Sequence, residues 1–169
     1  MLDRRALLTA GVALGALAVT GRDGRAQTMT TTEKTVDFKH LSDAEWKQRL
    51  SPAEFDVLRK HGTERAGTSA LNHEKRKGTF ACAACDLPLF SSDTKFESGT
   101  GWPSFYQPLP DAIATTSDRS LFMVRTEVHC SRCIGHLGHV FDDGPKPTGL
   151  RYCMNGVALK FVPQAGGQS

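Results

Sequence analysis

Five cysteines are the residues most able to do chemistry in this chain, and four of them come in two pairs: Cys82-Ala83-Ala84-Cys85 and Cys130-Ser131-Arg132-Cys133. A Cys-x-x-Cys turn aims two sulfurs at one point, and two such turns can close a tetrahedron around zinc. A pair of disulfides or a redox dithiol is the competing chemistry, although no βαβ pattern surrounds either pair. Forty-four residues separate Cys85 from Cys130, more than the roughly 15–20 of a simple zinc ribbon. The intervening chain must therefore be folded structure. A zinc ion held by four thiolates has no open position, so it would staple distant parts of the chain without taking part in a reaction.

The fifth cysteine, Cys153 in RYCMNG (151–156), is unpaired. Buried, inert cysteines are common, but this one has reactive neighbours. Arg151 lies two residues earlier and shares its face of a strand, and a guanidinium favours thiolate. His136 and His139 follow the second cysteine pair closely and could reach Cys153 as proton donors. Asn155 lies two residues beyond it. Each neighbour also has an ordinary reading. Asn before Gly suits a hairpin turn, and a histidine beside Cys-x-x-Cys can be a spare ligand or a surface group. Trp102, in GWPSF, reads either as a core aromatic or as an apolar wall.

The elements that must position these groups are legible in outline. Ser42-Asp43-Ala44-Glu45 and Ser51-Pro52-Ala53-Glu54 are capping boxes, each opening a short helix. Trp46 and Leu50, then Phe55 and Leu58, supply the apolar faces, and Gly62 is the expected helix end. After Gly78 the pattern changes to short strands. Phe122, Val124, Thr126 and Val128 alternate with Met123, Arg125, Glu127 and His129, and Ile113–Thr116 is the expected partner of this strand across a turn at Ser117-Asp118-Arg119. Leu150–Met154 and Val157–Phe161 flank Asn155-Gly156, which predicts a hairpin between them. The result is antiparallel sheets with helices at one end.

The N-terminus reads as an address. Asp3-Arg4-Arg5 precedes a weakly apolar run, Ala6–Thr20, and small residues surround Arg25. Residues 1–26 form a twin-arginine signal peptide on this reading, implying export to a bacterial periplasm after folding. The polar segment 27–40 is the expected linker, 41–163 the domain and 164–169 a tail. The formal net charge of +3 comes mostly from residues 1–26, which carry four of the basic groups. That argues against a nucleic-acid partner.

KFESGTGWPSF (95–105), CSRCIGHLGHVFDDGP (130–145) and TGLRYCMNGVALKF (148–161) together resemble the methionine-R-sulfoxide reductases of the B type, from about Leu41 to Val162. The resemblance implies a mostly β fold of two antiparallel sheets, with short N-terminal helices and one structural zinc. In it, Cys82, Cys85, Cys130 and Cys133 match the zinc ligands and Cys153 the nucleophile. His136, His139 and Asn155 match polar groups around the sulfoxide, and Trp102 the aromatic wall against its methyl group. Arg151 joins Trp102 as a candidate substrate-side residue. Many members of the family carry a cysteine where this chain has Thr100, and that cysteine resolves the oxidised nucleophile as a disulfide. Its absence implies a one-cysteine cycle completed by an external thiol, from a thioredoxin-like domain or a small thiol. The substrates would be oxidised proteins and the enzyme a monomer. A zinc-ribbon binding module, or another thiol reductase using Cys153, is the alternative reading of the same residues.

Overall fold

The computed structural model describes residues 36–119 and 124–165. The expected signal peptide, and Phe122 of the expected strand, lie outside the described residues. Two helices, α1 (Asp43–Arg49) and α2 (Pro52–Lys60), come first, and both capping boxes form. In the first, the Glu45 amide donates to Ser42 Oγ while Glu45 Oε2 accepts from the Ser42 amide at 2.8 Å. Trp46 is buried completely by this arrangement, with Phe38 stacked on it. The left-handed residue that ends α2 is His61, φ 57°, one position before the expected Gly62. Among the described residues no helix is long and apolar enough to cross a membrane.

Among the described residues nine strands follow: β1 (Gly78–Cys82), β2 (Pro88–Ser91), β3 (Lys95–Phe96), β4 (Ser104–Phe105), β5 (Ile113–Asp118), β6 (Arg125–Cys130), β7 (His136–Phe141), β8 (Arg151–Met154) and β9 (Leu159–Pro163). They form two antiparallel sheets, ordered β2-β1-β9 and β3-β4-β8-β7-β6-β5. β5 pairs with β6 as expected, but it runs on through Ser117 and Asp118, where the turn was expected, so that Ile113 lies opposite Cys130 and Asp118 opposite Arg125. Aromatic rings join the sheets. Phe80 and Phe90 of the small sheet meet Phe105 of the large one, with ring centroids 4.9 and 4.4 Å apart. All three are fully buried. Each such burial contributes about 2–3 kcal/mol, and the ring pairing roughly 1 kcal/mol more.

The hairpin expected at Asn155-Gly156 does not form. β8 lies between β4 and β7 in the large sheet, whereas β9 pairs with β1 in the small one. A type I′ turn needs positive φ at both central residues, and Asn155 has φ −65° at the start of a 3₁₀ turn, Gly156–Ala158. Tertiary partners redirect it. The Asn155 side chain donates from Nδ2 to Leu137 O at 3.0 Å, and its Oδ1 accepts from the Glu64 backbone amide at 2.8 Å. Gly156 is pressed on Ser69 so closely that a Cβ would stand 1.8 Å from Oγ. The chain therefore crosses from one sheet to the other here.

Candidate active site

Directly opposed residues of antiparallel strands share a face. Cys153 on β8 lies opposite Ser104 on β4 and His139 on β7, and His139 lies opposite Glu127 on β6. Ser104, Cys153, His139 and Glu127 thus form one row across the large sheet, although they come from four separate strands. Strand β7 can approach β8 this closely because position 138 is glycine, where a Cβ would lie 2.1 Å from Cys153 O.

Cys153 is half-buried and opens into a cleft with Trp102, Arg125, His139, Phe141 and Asn155. Trp102 is fixed by its indole N–H, which donates to Glu64 O at 2.9 Å. Glu64 therefore holds both Trp102 and Asn155 through its backbone. Sequence reasoning did not find it, because it stands in an aperiodic segment far from its partners. Thr100 Oγ1 lies 3.7 Å from Cys153 Sγ, and Ser98 Oγ links it to Ser104 Oγ through contacts of 2.8 and 2.7 Å. Position 100 is thus in contact with the thiol, and the four remaining cysteines of the chain stand together elsewhere.

The structure separates the two candidate histidines. His139 lines the cleft, and its Nε2 lies 2.8 Å from Asp118 Oδ2. A carboxylate accepts, so Nε2 carries the hydrogen and Nδ1 is the nitrogen able to exchange a proton. His136 is buried behind it, ring centroids 5.4 Å apart, with Nδ1 2.7 Å from Glu127 Oε1. Burial holds His136 below the ordinary imidazole value, with Glu127 pulling the other way. Asp118 and Glu127 escaped sequence reasoning too. The β5–β6 register, which puts both acids near the β7 histidines, is the signal that could have found them.

A stability prediction follows from His136. The unfolded chain takes up a proton near pH 6.5, whereas folded His136 resists it. The unfolded state then binds more protons, so stability is full above this pH and falls as acidification proceeds towards the folded value. Melting temperature measured against pH should fall less steeply for His136→Gln than for the parent over that window. Equal slopes would remove the assignment.

Arg151 shares the face of Cys153 but stands outside the cleft wall. Its guanidinium makes two 2.8 Å contacts with Asp143 and stacks over Phe141 at 4.3 Å. Asp143, and to a smaller extent Cys153, raise its already high basicity.

The four paired cysteines are buried and unbridged, and their sulfurs all lie within 4.8 Å of one another. Cys82 Sγ and Cys133 Sγ are 3.7 Å apart, Cys85 Sγ and Cys130 Sγ 3.5 Å. These distances are too long for disulfides. Four sulfurs at about 2.3 Å from one ion would be roughly 3.8 Å apart, so the donor set fits a tetrahedral metal. The knuckles repeat each other. Cys82 and Cys130 each accept from the amide four residues on, at 3.0 Å, and Asp86 and Ile134 are both left-handed, φ 59° and 60°. Hydrogen bonds from Cys133 and Cys82 hold Cys130 far below the ordinary thiol value, while the contact with Cys130 pushes Cys82 far above it. A dication bound among the four sulfurs would hold all of them as thiolates and neutralise their mutual repulsion. The cluster joins the end of β1 in the small sheet to the end of β6 in the large one, as a staple should.

The SelR domain family matches residues 50–163. A peptide methionine sulfoxide reductase MsrB from Leptospira interrogans is 59% identical over 121 residues, covering 71% of this chain and 92% of the relative. The protein of that name from Pseudomonas putida is 58% identical over 123 residues, covering 72% and 92%. Peptide methionine sulfoxide reductase B1, chloroplastic, from Arabidopsis thaliana is 54% identical over 126 residues, covering 74% and 62%.

Proposed function

The chain belongs to the SelR family of peptide methionine sulfoxide reductases, and from that premise we propose that it reduces the R epimer of methionine sulfoxide, mainly in proteins, with Cys153 as nucleophile. The observation that carries this reading is the shared cleft of Cys153, Trp102 and His139. A sulfoxide sulfur is electrophilic, and more so when its oxygen is protonated. The Cys153 thiolate attacks that sulfur while His139 delivers a proton to the oxygen. The oxygen passes to Cys153, methionine leaves, and Cys153 becomes a sulfenic acid. An external thiol then attacks the sulfenic acid and expels water. A second thiol releases Cys153 and leaves the reductant as a disulfide. Trp102 offers the sulfoxide methyl an apolar wall, and Asn155 fixes the floor of the cleft through Leu137 and Glu64. Arg151 supports the thiolate from beside it on β8.

His139 is the proposed acid because it lies opposite Cys153 and in the cleft, whereas His136 is buried with its Nδ1 on Glu127. His139→Gln should lower kcat by about 10²–10³-fold with the fold kept, and His136→Gln by less; the reverse order would exchange their roles. The proposed metal of the cysteine cluster is zinc. Its part is to hold the two sheets and, through the Cys130–Cys133 knuckle, the start of β7. The reductant is proposed to be a thioredoxin-like domain or a small thiol, and the site of action the bacterial periplasm, reached through Arg4-Arg5 by the twin-arginine route. The enzyme acts as a monomer on this reading.

The test supplies a peptide carrying both sulfoxide epimers, with dithiothreitol in excess. Consumption of the R epimer alone is expected. Consumption of the S epimer, or of both equally, would overturn the assignment.

A further inference from the structure

A second group of metal-ligating atoms stands apart from the four cysteines. His61 at the end of α2, Glu127 on β6 and His136 on β7 converge so that one ligand atom from each lies within 4.8 Å of the others. His61 Nδ1 is 3.0 Å and His136 Nδ1 2.7 Å from the same oxygen, Glu127 Oε1. The two rings are 5.2 Å apart. The inner ligands are held firmly, with His136 3% and Glu127 14% exposed, while His61 is 63% exposed and faces solvent. The group opens on a cleft that also takes in Thr63 and His139.

Two imidazole nitrogens and one carboxylate oxygen are donors for zinc and its neighbours in the first transition row, not for calcium or magnesium. Bonds of about 2.0–2.1 Å would set tetrahedral ligand atoms roughly 3.3 Å apart. The present contacts with Glu127 Oε1, 3.0 Å from His61 and 2.7 Å from His136, are shorter than this; exposed His61 can give the first, and a small rotation of the Glu127 carboxylate must give the second. The imidazole hydrogens now shared with Glu127 would move to Nε2, freeing both Nδ1 atoms for the ion.

We propose that His61, Glu127 and His136 form a second metal site, which takes Zn2+ or a similar borderline dication with water in the fourth position and thereby inhibits the reductase. The inhibition rests on the reading of His139 as acid. A dication on His136 stands beside His139, whose ring centroid is 5.4 Å from that of His136, and repels the proton it must deliver.

Binding is measured first, on protein whose cysteine cluster is already loaded and whose nucleophile is removed by Cys153→Ser, so that no spare thiol competes. Co2+ serves as the probe. One further equivalent should bind, with d–d absorption and no sulfur charge-transfer band. In the same background His61→Asn should weaken it at least tenfold, an order of magnitude typical of a damaged ligand set. Asn tolerates the left-handed backbone of position 61, so the variant should melt as its parent does. No further equivalent, or one that His61→Asn leaves unchanged, overturns the site whatever the reaction proves to be. With Cys153 present, His61→Asn should match the parent's activity without added metal and resist Zn2+ at concentrations that inhibit the parent. Equal inhibition of the two would overturn the regulatory role.

Discussion

Cys153→Ser is expected to abolish reduction, lowering kcat by at least about a thousandfold, or roughly 4 kcal/mol of transition-state stabilisation. A serine hydroxyl fills almost the same space but is not ionised at neutral pH and is a poor nucleophile towards sulfur. Every other part of the site stays in place, because Trp102, Asn155 and His139 are fixed by Glu64, Leu137 and Asp118 and not by the thiol. The variant should therefore melt within about 1 kcal/mol of the parent and still bind a sulfoxide peptide, which a fluorescence titration of the protein would show. Residual turnover within tenfold of the parent would remove Cys153 from its role.

Stripping the cysteine cluster is expected to unfold the domain. The two knuckles join β1 and β6, which belong to different sheets and lie on either side of a 44-residue segment. Structural zinc contributes about 10–16 kcal/mol of apparent binding free energy at neutral pH. A domain of this size has a total stability of roughly 5–15 kcal/mol. The metal term is thus comparable with the whole, and the aromatic contacts of Phe80, Phe90 and Phe105 cannot replace it. Cys130→Ser, or prolonged chelation, should give a protein without bound metal and without a cooperative thermal transition. Metal analysis beside calorimetry tests this. A metal-free protein that melts as before would show that the cluster is not a staple.

Much of the site was legible because its signals are local. Ser42 with Glu45, and Ser51 with Glu54, satisfy each other within one helical turn, so four residues suffice to read a helix start. The cysteine pairs carry their geometry in their spacing. Asn155-Gly156 misled because the same dipeptide serves a turn or a tertiary anchor, and the partners that decide, Glu64 and Leu137, are 91 and 18 residues away. The choice between His136 and His139 was open for a similar reason. It depends on the row that joins β8, β7 and β6, and on acids whose positions relative to the histidines are set by sheet register. Arg151 was correctly placed on the face of Cys153 by its i, i+2 spacing, but its commitment to Asp143 and Phe141 was not foreseeable from that spacing.

Single turnover without reductant tests the central chemistry most directly. Protein mixed with one equivalent of R sulfoxide peptide, and weighed intact, should release up to one methionine per chain and gain one oxygen on the peptide containing Cys153. Methionine formed with Cys153 unchanged in mass, or with the chain two hydrogens lighter as a disulfide, would contradict attack by a lone thiolate that waits for an external partner.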